Sequence, residues 1–214
     1  RVDLSLNSKV IALDIVGGPA KGVRYEKMGE ELYISGDIIA LGANAIFNAA
    51  ILLRSGDSSP LLGKRIHEQI STTGKIDRKD VGGMQGSTLI TGQGYMFYDG
   101  AHRSEYGACM TETANFLPTF RAEFGKWNHR VRLTFIVEDL PLEENAVTLD
   151  AEGKPIVTFN KYSQYGLNGL QQVPKYIEAL SQCLPIEKVY YSDDFTESGL
   201  PRSSEWHIQG SVVM

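Results

Sequence analysis

The chain has 214 residues, 42% of them hydrophobic and 22% charged, with a formal net charge of -5 and ten tyrosines and 22 glycines. That length suits one large domain or two small ones and is enough to bury a substantial core. An acidic chain without a Lys/Arg run lacks the electrostatic footprint of a nucleic-acid binder, and its longest apolar stretch, residues 38–53, is broken by Asn44 and Asn48 and is shorter than the ~20 residues of a transmembrane helix.

Read in chain order, "KVIALDI" alternates Val10, Ala12 and Asp14 with Ile11, Leu13 and Ile15, as a strand does. "GGPAKG" turns the chain, "VRYEK" returns it, residues 28–30 turn again, and "ELYIS" is a third strand. "DIIALGA" is almost unbroken apolar sequence and predicts a strand buried on both faces. Asn44 begins a helix with Ile46, Phe47, Ala50 and Ile51 at helical spacing, stopped near Ser55-Gly56. A loop with Pro60 and Gly63 follows, and a domain boundary is placed just after it.

Beyond that point the texture changes to longer strands. In "NHRVRLTFIV", Val131, Leu133, Phe135 and Val137 share one face, and Arg130, Arg132 and Thr134 share a polar one, expected to be solvated. "NAVTLDAEGKPIVTF" reads as a hairpin. The segment from Tyr165 to Leu184 carries an apolar stripe of Leu167, Leu170, Val173, Ile177, Leu180 and Leu184 at helical spacing. Pro174 either kinks that helix or starts a second one. "EKVYYS" is a further short strand.

The turn from Leu41 to Ala45 lets a ligand approach the backbone, and a helix start offers amides and a positive dipole end that suit a pyrophosphate. Tight structural packing explains the same residues. "QGSTLITGQGYMFYDG", with Tyr95, Phe97 and Tyr98, combines hydroxyls and aromatics as sugar-binding faces do and as sheets with glycine bulges also do. Glu138-Asp139 at a strand end can position a polyol or act as a base; a solvated turn is the plainer reading. His67, His102, His129 and His207 are widely separated and have no metal-ligand spacing, and His67 reads as a hydrogen-bonded loop histidine. Cys109 and Cys183 form no metal or redox motif; two thiols in a cytosolic protein is the plainer reading, and one disulfide also fits the count.

Four segments in order carry a resemblance: "IIALGANA", "ILLRSG" with "LLGKRIHEQ", "NAVTL" with "EGKP" before a helix, and "HIQGSVVM". Together they resemble the glucose-methanol-choline (GMC) oxidoreductases, which are FAD enzymes. The resemblance implies an α+β chain. Residues 1–69 would be part of an FAD-binding Rossmann-like domain. Residues 70–206 would be a substrate-binding domain with an antiparallel sheet and flanking helix, and 207–214 would start the return into the FAD domain.

On this reading the chain is an internal portion, and both its ends read as cuts through a larger protein. The family's glycine fingerprint would precede Arg1 and its catalytic histidine would follow Met214, so no residue here is assigned as catalytic and 1–214 alone is expected to be inactive. Val10 matches the position whose backbone reaches the adenine, Gly42 and Ala43 match the turn lining FAD, and Asn44 and Ala45 follow as further cofactor-binding candidates. Leu41 stands where the family usually has alanine. Tyr95, Phe97 and Glu138 are the substrate-side candidates, and His207 with Gly210 would support the flavin site from behind. The implied substrate is an alcohol, sugar or polyol. The implied partner is the remainder of the FAD domain, in the same or another chain. A binding or scaffold module derived from the same fold is the alternative. A nicotinamide-linked enzyme is disfavoured by the lack of a Gly-x-Gly-x-x-Gly segment. No segment reads as a signal peptide, and a cytoplasmic location is favoured.

Overall fold

The alternating residues of the first thirty-odd positions fold into an antiparallel meander, β1 (Lys9–Ile15), β2 (Ala20–Lys27) and β3 (Glu30–Ser35), in the order β1-β2-β3. The computed structural model describes residues 2–15, 18–80, 90–115, 129–191 and 206–212. It is an α+β protein whose chain divides into two units. The first comprises Arg1–His67, Pro141–Asn160 and Ile208–Met214, and the second Glu68–Leu140 and Lys161–His207.

In the first unit, residues 36–43 do not form the expected buried strand. They are irregular backbone, mostly exposed, with Ile38 91% exposed. A strand persists only where a sheet edge accepts it. The outer edge of β1 is instead taken by side chains. Arg54 Nε donates to Ile11 O (2.8 Å) and Leu13 N donates to Ser55 Oγ (2.7 Å). Those two residues end α1 (Asn44–Arg54), which starts where the sequence predicts and stops at Ser55 and Gly56. Its buried Ala49 packs with Ile66 and Val147, flanked by Ile46, Leu62 and Phe159. Val147 lies on the expected hairpin, β8 (Ala146–Leu149) and β9 (Pro155–Thr158). The expected second domain is unbroken from 70 to 206, whereas this hairpin packs against α1 in the first unit.

The second unit is an antiparallel sheet of β4 (Ile70–Arg78), β5 (Ile90–Phe97), β6 (Cys109–Asn115), β7 (Arg130–Val137) and β10 (Ile186–Tyr191), ordered β10-β4-β7-β6-β5. The register sets Ile70, Val137 and Cys109 side by side, with Thr72, Phe135 and Thr111 in the next row of the same face. Two helices pack on that face: α2 (Gln164–Leu170) against β4 and β7, and α3 (Val173–Ser181) through Ile177 over Gly74 and Tyr176 on Phe97. Pro174 opens α3 in its first turn, where no intrahelical amide is needed, so it starts a second helix and does not kink one. Leu170, Val173 and Ile177 of the expected stripe are buried. Gly169 permits the close approach of α2, since a Cβ there would lie 2.7 Å from Val137 Cγ1.

Val131, Leu133, Phe135 and Val137 are all buried, as their alternation predicts. Arg130 departs from its expected solvated face. It is 5% exposed and donates from Nε (2.6 Å) and Nη2 (2.9 Å) to the two oxygens of Asp77, which is 1% exposed. The cause is register: Asp77 lies directly opposite Arg130, and Tyr190 adds a hydroxyl bond to Asp77 (3.0 Å) and a ring under the guanidinium (4.8 Å).

Candidate functional site

The first unit holds an open groove of about 480 Å³ lined by Lys9, Val10, residues 40–43, Phe47, Ile51 and Arg54. Three of the cofactor candidates, Val10, Gly42 and Ala43, therefore share one cleft. Val10 comes from the start of β1, and the other two from the segment entering α1. Gly42 faces open space, with no heavy atom within 4 Å of a Cβ built there. Phe47, Ile51 and Arg54 line the other wall, spaced as one face of α1. These three are not among the residues expected at the site, although their i, i+4, i+7 spacing marks a common helix face.

The amides at the start of α1 are not the open anion cradle that the sequence suggested. Asn44 adopts φ +70° and its Oδ1 accepts from Ile46 N (3.0 Å) and Phe47 N (3.1 Å), capping its own helix. Asn48 Oδ1 accepts from Ala43 N (2.8 Å), and its Nδ2 donates to Leu41 O (3.3 Å), pinning the turn. Ala45 contributes its carbonyl, which accepts from Ser211 Oγ (2.5 Å). Ser211 is fully buried, and its own carbonyl accepts from Gly63 N (2.7 Å). Gly210, at φ +84°, is required there because a Cβ would collide with Arg65 O. The "HIQGS" segment thus braces the first turn of α1 from behind, through Ser211. His207 takes no part in this: it is exposed, and its Nδ1 pairs with Gln69 Oε1 (3.0 Å) within the second unit. His67 Nδ1 lies 3.0 Å from Arg65 O, a satisfied loop histidine as expected.

A scan against protein-family models and a search of curated proteins found no match to this chain.

The substrate-side candidates lie in the second unit, and each is engaged by neighbours of its own. Tyr95 is exposed, its hydroxyl donates to Gln93 Oε1 (2.8 Å), and its ring meets Tyr98 edge-on at 6.0 Å. Register shifts on either side of Gly92 and Gly94 give β5 the irregular ladder its glycines suggest. Phe97 instead stacks on Tyr176 of α3 at 3.9 Å, which uses one face of its ring for packing. Glu138 receives Arg103 Nη2 on both oxygens (2.8 Å each) and the Tyr165 hydroxyl at 3.3 Å. Tyr165 first, then Glu138, hold the Arg103 guanidinium above its ordinary pKa. Asp139 is not part of a solvated turn. It is 7% exposed and accepts from both Ser163 N (3.0 Å) and Ser163 Oγ (2.5 Å), while Ser163 Oγ accepts from Gly166 N (3.0 Å) as the N-cap of α2.

Both cysteines are free; Cys109 is buried and Cys183 exposed. Burial pushes the Cys109 thiol up to about 12, so it is unreactive packing and no nucleophile. Burial, and then Tyr106 and Cys109, raise the phenol of Tyr176. Among the described residues no cluster of three or more His, Cys, Asp or Glu could hold a metal ion, and no helix is long and apolar enough to cross a membrane.

Proposed function

We propose that the chain is part of an FAD-dependent oxidoreductase acting on an alcohol, sugar or polyol, with its first unit binding the adenosine end of the flavin nucleotide. The observation that carries this reading is the groove joining Val10 to Gly42 and Ala43. Its apolar members Val10, Leu41 and Phe47 suit the faces of a purine ring, and Gly42 leaves room beside them. Lys9 and Arg54 bring positive charge to the same cleft. The start of α1 does not fit a diphosphate, because Ala43, Ile46 and Phe47 amides are already bonded to Asn48 and Asn44. Bound FAD supplies the acceptor for the hydride of a CH–OH group. Residues of this chain bind and orient, and the rest of the FAD domain, in this or another chain, is the partner that completes the site.

Calorimetric titration of the chain with ADP, FAD and FMN tests the reading. ADP and FAD are expected to bind and to compete with each other, FMN is expected not to bind, and Val10→Glu is expected to abolish the signal. Failure of both ADP and FAD to bind overturns it. The capped amides of α1 favour a second reading, a non-catalytic binding module of the same fold. Binding of a sugar or polyol without any nucleotide affinity would support that reading.

A further inference from the structure

The two edges of the meander are finished differently. On β1 the outward groups of Ile11 and Leu13 are engaged by Arg54 and Ser55. On β3 all six residues are exposed, including Leu32 (38%) and Ile34 (59%). Gly36 N donates to Lys21 O (3.1 Å), which fixes the parity of the ladder. Leu32 and Ile34 bond inward to β2, and Glu31, Tyr33 and Ser35 turn their backbone groups outward. Those outward groups have no backbone partner among the described residues.

The side chains leave this edge clear. The Tyr33 ring folds back over Gly22, where a Cβ would collide with it, and its hydroxyl reaches Asp14 Oδ2 at 3.4 Å. Glu31 is drawn toward Arg24 of β2 (3.4 Å).

We propose that β3 is a self-association edge, through which two copies of the chain pair antiparallel about a two-fold axis normal to the sheet. The strand is complementary to itself in one register, with Tyr33 opposite Tyr33 of the second copy. Glu31 then meets Ser35 on both sides, so every outward residue of β3 is paired, with about six inter-chain hydrogen bonds. Leu32 lies opposite Ile34 twice on the apolar face, and no two carboxylates are opposed. Sliding by one pleat, to Leu32 opposite Leu32, leaves Ser35 without a β3 partner and sets Glu30 against Ile34. Arg54 and Ser55 occupy the β1 edge at Ile11 and Leu13, so among the described residues each meander has one open edge, and pairing ends at a dimer and does not propagate as a filament.

Sedimentation equilibrium of the chain in a Cys183→Ser background tests this, since the exposed Cys183 would otherwise cross-link copies. A reversible dimer is expected, with the Tyr33 amide protected from exchange only at high concentration. Tyr33→Pro is expected to give a monomer with an unchanged far-UV spectrum, because the lost N–H points outward and costs no bond to β2. Tyr33→Cys is expected to form an inter-chain disulfide on mild oxidation, since paired Cα atoms there would be about 5.5 Å apart. Leu32→Cys, displaced by a pleat, is expected not to cross-link. A chain that stays monomeric at all concentrations, or a dimer that Tyr33→Pro leaves intact, overturns the proposal. Cross-linking by Leu32→Cys in place of Tyr33→Cys overturns the register.

Discussion

The chain builds two antiparallel sheets and finishes them differently. The sheet of the second unit is packed by its own helices. β7 buries Val131, Leu133, Phe135, Ile136 and Val137, and Ile177 and Tyr176 come down on the same layer. The meander of the first unit buries Ala12 and Leu13 of β1, while β3 stays exposed along its whole length. Identical backbone pairing therefore carries different energetic weight in the two places. In one the sheet is a core layer, and in the other it is a scaffold holding a groove and an open edge.

The largest effects should fall on the packed sheet. Arg130→Met leaves the Asp77 carboxylate buried without its bidentate partner, and truncations of that kind cost about 3–5 kcal/mol. Urea unfolding should show the midpoint falling accordingly, and exchange at the β7 amides should accelerate. The double change Asp77→Leu with Arg130→Met should recover part of the loss, because the desolvated charge is then gone. If Arg130→Met unfolds at the native midpoint, the pair is not holding the sheet together.

That ion pair also shows the limit of reading one strand at a time. The alternation of β7 was legible because burial of Val131, Leu133, Phe135 and Val137 follows from a local period of two. The fate of Arg130 was not, because it depends on Asp77, 53 residues away, arriving directly opposite. The same holds for residues 36–43. Their composition suits a buried strand, but Arg54 and Ser55 occupy the β1 edge, the segment does not pair with β3, and its end is held by the side chain of Asn48. Of the candidate site, Val10, Gly42 and Ala43 do line one groove, whereas Asn44 caps its own helix and Ala45 gives its carbonyl to Ser211. Side-chain amides that bond back to their own helix start carry no sequence mark separating them from ligand contacts.

Alkaline pH should sharpen the contrast at a smaller scale. The folded Cys109 thiol titrates near 12 because burial disfavours the thiolate, against about 8.5 in an unfolded chain. The neutral thiol's contribution is complete below the unfolded pKa and is lost as pH rises from there toward the folded value. Stability should decline by up to ~1.4 kcal/mol per pH unit across that window. Cys109→Ala should remove this slope and leave the one beginning near pH 10 that the raised Tyr176 phenol contributes. A pH dependence unaltered in Cys109→Ala would show that the thiol is not the group titrating.

The smallest effect is the most discriminating, because the same chemical change can be made on both sheets. Leu133 on β7 is 3% exposed, and Leu133→Ala should cost about 2–5 kcal/mol through lost burial and the cavity left behind. Leu32 on β3 is 38% exposed, so Leu32→Ala should change the unfolding free energy of a dilute sample by only about 0.5 kcal/mol. Its effect should appear in the monomer–dimer equilibrium, where each Leu32 loses its cross-strand contact with Ile34 of the second copy. Stability and association would then separate cleanly: one leucine matters to the fold and not to pairing, the other to pairing and hardly to the fold. A Leu32→Ala chain that unfolds as easily as Leu133→Ala would mean that β3 is a packed layer after all, and the contrast between the two sheets would collapse.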